Sequence, residues 1–150
     1  MMELKQIIDH SGISCSGIIV ELTESGYLEG TPAVRSVWND MKKLRIQIAL
    51  DDFGTGYSNL MNISNLEPDI VKLDRGFTLK ALSRSYEYQL MQYVIEMVHK
   101  LNQYVCVEGV ETKEDLEKIK ALGPDLIQGY YYSKPCSRDE FLKKFFGYSE

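Results

Sequence analysis

Five short apolar runs, each with its charged residues on a single parity, constrain this chain more than any other feature of its sequence. They span Gly17 to Glu24, Ile46 to Asp52, Asp69 to Asp74, Tyr104 to Glu108 and Asp125 to Tyr130. Alternate side chains of an extended strand face opposite sides. Ile46, Ile48 and Leu50 thus face away from Gln47, Ala49 and Asp51, and Ile18, Val20 and Leu22 away from Ile19, Glu21 and Thr23. The same split sets Val71 and Leu73 against Lys72 and Asp74, and Val105 and Val107 against Cys106 and Glu108. One face of each strand is apolar, and the other collects the charges.

Helical patterns separate these runs. Pro32 to Leu44 has Pro in its first turn, and Ser85 to Asn102 repeats apolar residues at three- and four-residue spacing. Lys113 to Leu122 runs into Gly123 and Pro124, and Ser137 to Phe146 opens on a Ser cap and stops before Gly147. The leading stretch, Met2 to His10, reads as a helix ending at Gly12. Strands alternating with helices predict an α/β fold with parallel pairing and right-handed crossovers. An open antiparallel sheet would give the same alternation, but the intervening helices argue against it. A barrel places the helices over the apolar face and gathers the other face at a rim. Glu21, Asp51, Lys72, Glu108 and Gln128 then converge from five strands.

Composition excludes several partners. The chain has 150 residues, 44% hydrophobic and 26% charged, which suits one soluble domain, and no Pro/Gly/Ser-rich linker divides it. A net charge of -5 and no basic stripe speak against nucleic-acid polymers and anionic membranes. Neither a membrane-length apolar stretch nor a signal peptide is present, so a cytoplasmic location is expected. Cys15, Cys106 and Cys136 lack C-x-x-C spacing and read as reduced thiols, while His10 and His99 sit near helix ends with no role in chemistry.

The rim has a definite chemical character. Asp51 and Asp52 are adjacent at the end of an apolar strand, a costly arrangement unless a cation or proton neutralises them. Gly54 and Gly56 permit a sharp turn, and Thr55 and Ser58 add short hydroxyls. The competing reading makes Asp52 the cap of a helix beginning near Ser58. Carboxylates around one lysine, without convergent His or Cys, suit Mg²⁺ or Mn²⁺, and a two-metal site would polarise a phosphoryl group and generate hydroxide. Lys72 would position that water or balance phosphate charge; its structural alternative is an ion pair with Asp74. Glu108 or Glu111 would serve as general base, Glu111 also reading as an acid at a helix start and Glu24 sharing that ambiguity. Tyr130, Tyr131 and Tyr132 suit either purine stacking or packing.

Five blocks, VELTES (Val20 to Ser25), ALDDFGTGYSNL (Ala49 to Leu60), PDIVKLD (Pro68 to Asp74), VEGVET (Val107 to Thr112) and QGYYYSKP (Gln128 to Pro135), resemble the EAL-type cyclic-di-GMP phosphodiesterases. The resemblance implies a (β/α)8 TIM-barrel-like fold that opens cyclic-di-GMP to linear pGpG with Mg²⁺ or Mn²⁺. By motif, it makes Glu21, Asp51 and Asp52 metal ligands and places Lys72 near the nucleophilic water. Glu108 becomes general base or second-metal partner, Glu111, Gln128 and Asp74 support the site, and Glu24 anchors the loop after Asp52. The Glu-Ala-Leu tripeptide and the asparagine block of the family are absent from this chain. A full barrel takes about 250 residues, so residues 1–150 are expected to be the C-terminal part of such a domain, an incomplete barrel of about five β/α units. Isolated, it is expected to lack turnover and to self-associate through exposed strand edges or the Phe53–Ser58 loop. Two other classes stay open: a degenerate module that binds cyclic-di-GMP or a protein without hydrolysis, and a Schiff-base enzyme using Lys72. A larger sensor protein is the expected setting.

Overall fold

A computed structural model describes residues 2–23, 32–55 and 67–147. Helix α1 (Met2–Ser11) and a short 3₁₀ turn (Cys15–Gly17) lead into β1 (Ile19–Thr23), followed by α2 (Pro32–Lys43) and β2 (Gln47–Phe53). Next come β3 (Ile70–Leu73), α3 (Arg75–Ser83) and α4 (Ser85–Lys100). The chain then runs through β4 (Tyr104–Glu108), α5 (Lys113–Lys120), β5 (Leu126–Gln128) and α6 (Arg138–Phe146).

The strands form one sheet in the order β1-β2-β3-β4-β5, every pairing parallel. Sequential parallel order with helical returns on one side is the architecture of a partial (β/α) barrel. The expected division of faces is present. Ile48, Leu50, Val71, Leu73, Val105 and Val107 are wholly buried against a helix layer that contributes Trp38, Met41, Met91, Ile95, Val98 and Ile119. Met91, Ile95 and Val98 recur at the spacing of one helical face, which is why α4 packs here. On the opposite face, Ala49, Ile70 and Cys106 form a second, smaller apolar cluster beneath the charged rim.

Several boundaries moved from those the sequence suggests. The last strand stops at Gln128 rather than Tyr130, because Tyr131 and Tyr132 turn back and donate their N–H groups to Val110 and Gly129 carbonyls. Helix α4 ends at Lys100, where Asn102 takes a left-handed φ of 58°. Helix α3 was not anticipated. Asp74 starts it by accepting hydrogen bonds from the Gly76 and Phe77 N–H groups, and Phe77 and Ala81 are buried one turn apart. The two C-terminal units show complete capping boxes, Thr112 with Asp115 and Ser137 with Glu140.

A repeated device fixes the base of the sheet. Asp69, just before β3, accepts the Ile48 N–H at 2.8 Å and donates its own N–H to the Ile48 carbonyl. Asp125, just before β5, does the same with Val105, again at 2.8 Å through its carboxylate. Each follows a proline, Pro68 or Pro124. His99 adds a 2.9 Å contact from α4 to the Asp125 carboxylate. No helix among the described residues is long and apolar enough to cross a membrane.

Candidate active site

Four neighbouring strands deliver four charged side chains to one point. Lys72 projects from β3 and is 5% exposed, an uncommon setting for a lysine. Its Nζ lies 2.8 Å from Glu108 Oε1 on β4, 2.9 Å from Glu21 Oε1 on β1 and 3.0 Å from Asp51 Oδ1 on β2. Parallel register explains the convergence: Lys72 pairs with Cys106, two residues before Glu108, and Glu21 pairs with Ala49, two residues before Asp51. All four belong to the parity that faces away from the helices. Burial works against the ammonium charge, but the carboxylates of Glu108, Glu21 and Asp51, each within 3.0 Å, outweigh it and hold Lys72 above the ordinary lysine range. That protonated lysine is a poor amine nucleophile, so the Schiff-base class loses its support.

The sequence neighbour Asp74 is not the partner of Lys72. Its carboxylate is spent on the α3 cap, so the alternative reading of Lys72 as an ion pair with Asp74 does not hold. The reason is geometric. Residues two apart share a face, but β3 ends at Leu73 and the chain turns into the helix before Asp74 can point inward.

Asp52 reaches the rim by a break in the ladder. Leu50 pairs with Val71 and Phe53 with Leu73, so Asp51 and Asp52 together oppose Lys72 alone. This is a β-bulge, and Asp52 takes a left-handed φ of 62° within it. In a regular strand the two carboxylates would face opposite sides. Desolvation, then the charges of Asp51 and Asp74, raise the Asp52 carboxyl above its usual range. Just beyond, Gly54 at φ 102° packs so closely on Phe77 that a β-carbon would lie 2.7 Å from its ring.

The remaining expected residues are more peripheral. Glu111 stands on the loop after β4, where Arg75 binds it through Nη2 at 2.7 Å and Nε at 3.2 Å. Gly109, at φ 80°, makes room for the Arg75 stem to pass. Gln128 pairs in register with Glu108 at the end of β5 and is exposed. Tyr130, Tyr131 and Tyr132 are 39% exposed or more, and the Tyr131 and Tyr132 rings meet edge to face at 5.2 Å. Glu24, Gly56, Tyr57 and Ser58 lie outside the described residues. One contributor was not foreseen, Arg75, while Cys106, which parity sets on the charged face, is buried beside its register partner Lys72.

Asp51 Oδ1 is buried and has an ion pair with Lys72 but no well-aligned hydrogen bond, which leaves acceptor capacity for a cation. Carboxylate oxygens suit a hard divalent ion. Among the described residues, no three His, Cys, Asp or Glu side chains are grouped to hold an ion unaided, because the carboxylates converge on the ammonium.

The EAL domain family model matches residues 1–135. This chain belongs to the EAL domain family. Among curated relatives, its EAL region is 32% identical to the cyclic di-GMP phosphodiesterase PdeF of Escherichia coli over 89% of this chain and 18% of PdeF. Among solved structures, the EAL enzyme Bd1971 bound to cAMP and cyclic-di-GMP superposes with a TM-score of 0.86 at 31% identity, covering 93% of this chain and 37% of that one. The Klebsiella pneumoniae BlrP1 complex with manganese and cyclic-di-GMP gives a TM-score of 0.81 at 26% identity, covering 89% and 35%. The EAL chain described here spans about a fifth of the length of the first curated relatives it matches.

Proposed function

We propose that this EAL chain supplies the acidic wall and the lysine of a cyclic-di-GMP phosphodiesterase site that opens the nucleotide to linear pGpG. The observation that carries the reading is the meeting of Glu21, Asp51 and Glu108 on Lys72 Nζ, each within 3.0 Å, from four adjacent strands. Relatives of this kind are named as cyclic di-GMP phosphodiesterases, and one related structure holds manganese with the nucleotide.

Asp51, Asp52 and Glu21 would hold a divalent ion such as Mg²⁺ or Mn²⁺, with further oxygen ligands from outside this chain. When bound, such an ion polarises the phosphoryl group and lowers the pKa of its water. Glu108 accepts the proton of the attacking water, and the Lys72 ammonium holds Glu108 oriented while offsetting charge that grows on the phosphate. Arg75 and Glu111 brace the loop above, and Gln128 lies beside Glu108 to orient substrate. The absent Glu-Ala-Leu and asparagine blocks make residues 1–150 alone unable to complete the site.

Grafting residues 1–150 in place of the corresponding segment of PdeF tests both parts. The graft is expected to convert cyclic-di-GMP to pGpG in the presence of Mn²⁺, to lose that activity with Asp51→Asn, and to outpace the isolated chain by more than 100-fold. A folded graft that binds cyclic-di-GMP without hydrolysis would overturn the reading in favour of a degenerate binding module. Equal turnover by the isolated chain would overturn the claim of an incomplete site.

A further inference from the structure

We infer that Arg75 is a positioning residue: from the first turn of α3 it holds the strand end that carries Glu108 in place relative to the strand end that carries Asp51 and Asp52. Its catalytic consequence rests on the phosphodiesterase reading, and its mechanics rest on contacts within the chain. Helix α3 begins just past β3, which lies between β2 and β4 in the sheet. Its first turn touches the ends of both neighbours. Toward β2, Asp74 donates its N–H to the Phe53 carbonyl at 2.9 Å, and Phe77 packs on Gly54. Toward β4, the Arg75 stem crosses Gly109, where a β-carbon would lie 2.4 Å from Arg75 Cγ and 3.1 Å from its Cα. The guanidinium then sets Nη2 and Nε on one oxygen, Oε1 of Glu111.

The turn that makes these contacts is itself held. The Asp74 carboxylate accepts the Gly76 and Phe77 N–H groups, and the Asp74 carbonyl accepts the Thr78 N–H at 3.0 Å, so Asp74 to Thr78 act as one piece. The segment after Glu108 has a second support on its other side. Val110 is wholly buried, donates its N–H to the Gln128 carbonyl at 3.3 Å and accepts the Tyr131 N–H at 3.0 Å. Glu108 depends on this support, because among the described residues Lys72 is its ion-pair partner and a single partner leaves a carboxylate free to swing. The backbone that follows it, Gly109 to Glu111, therefore sets where the carboxylate sits.

Folding stability does not explain the arrangement. The Arg75 and Glu111 side chains are 58% and 39% exposed, and exposed ion pairs of this kind add little to stability. A left-handed glycine beneath the arginine costs chain entropy on folding. Nor does Arg75 join the charged cluster: among the described residues its ion-pair partner is Glu111, and none of Glu21, Asp51 or Glu108. It acts through Glu111 and the loop backbone. Displacing a reacting group by about 1 Å can slow a reaction about 100-fold, so a brace that contributes little to folding can still govern rate.

Kinetics of the PdeF graft and hydrogen exchange of the chain itself test the inference. In the graft, Arg75→Ala should lower kcat about 30-fold and leave KM within about 3-fold. Arg75→Lys keeps a stem and a charge without the two-donor fork, and should return kcat to within about 5-fold of the parent. On a Glu111→Gln background, Arg75→Ala should lower kcat by less than about 3-fold further, because the arginine then has lost the group it acts through. In the 150-residue chain, Arg75→Ala should speed exchange of the Val110 and Tyr131 amides about 10-fold or more and leave the Val105 amide, held by Asp125, unchanged. An unchanged kcat, a raised KM with kcat intact, losses that multiply fully on the Glu111→Gln background, or unchanged Val110 exchange would each overturn the role. A parent graft without turnover, together with the expected exchange pattern, would sink the phosphodiesterase reading and leave Arg75 as the brace of this loop.

Discussion

Lys72 carries more of this structure than any other single residue. Its ammonium is buried and bound by three carboxylates, so removing it leaves their charges uncompensated. Lys72→Met is expected to cost about 3 kcal/mol of unfolding free energy at pH 7, measured by urea titration. Beneath it, burial first and then the Glu108 charge push the Cys106 thiol up to about 11. At pH 8 iodoacetamide should modify the exposed Cys136 within minutes and reach Cys106 only after unfolding, which peptide mass spectrometry resolves. The inward placement of Lys72, Glu21, Asp51 and Glu108 was legible from strand parity alone. That Asp74 is a cap was not, since parity assumes a strand that continues, and β3 does not. The missed helix had a signal: an Asp followed by Phe77 and Ala81 four residues apart is a cap with an apolar face.

At the scale of elements, the Pro-Asp pairs that precede β3 and β5 lock each strand to the one before it. In Asp125, burial raises the carboxyl, but hydrogen bonds from the Val105 N–H and His99 outweigh it and hold the group below its usual range. A carboxylate depressed in the folded state stabilises above its unfolded pKa of about 3.9, and that contribution is lost as pH falls through the folded value. Asp125→Ala should therefore cost about 2 kcal/mol at pH 7 and pH 5, and progressively less as pH falls through the folded value, in chemical denaturation at each pH. Asp69→Ala, which leaves the fully buried Ile48 with an unpaired N–H, should cost a similar amount at pH 7. The alternation of strands and helices was readable because hydrophobic period reports it directly. These clasps were not, for they join residues 20 and 21 positions apart, and no local pattern announces such a pair. The β-bulge was hidden for the same reason: the adjacent aspartates were visible, but the extra residue exists only relative to β3.

For the whole molecule, the two faces of the sheet separate what folds the chain from what gives it chemistry. Ile95→Ala in the helix layer should cost about 3 kcal/mol, whereas Glu21→Gln, whose side chain is half exposed, should change stability by less than about 1 kcal/mol, both read from urea midpoints. The partial barrel was foreseeable from the count of strands and the motifs they end on, but the exposure of Ile7 on α1 and of Phe141 and Phe145 on α6 emerged only once those helices had places. The alternation that makes the rim readable has a further result for descent. Replacements on one parity are purged as misfolding, while most on the other, Lys72 apart, leave a protein that folds normally. Lineages built on this sheet can shed catalysis and persist as intact scaffolds, open to recruitment for new tasks.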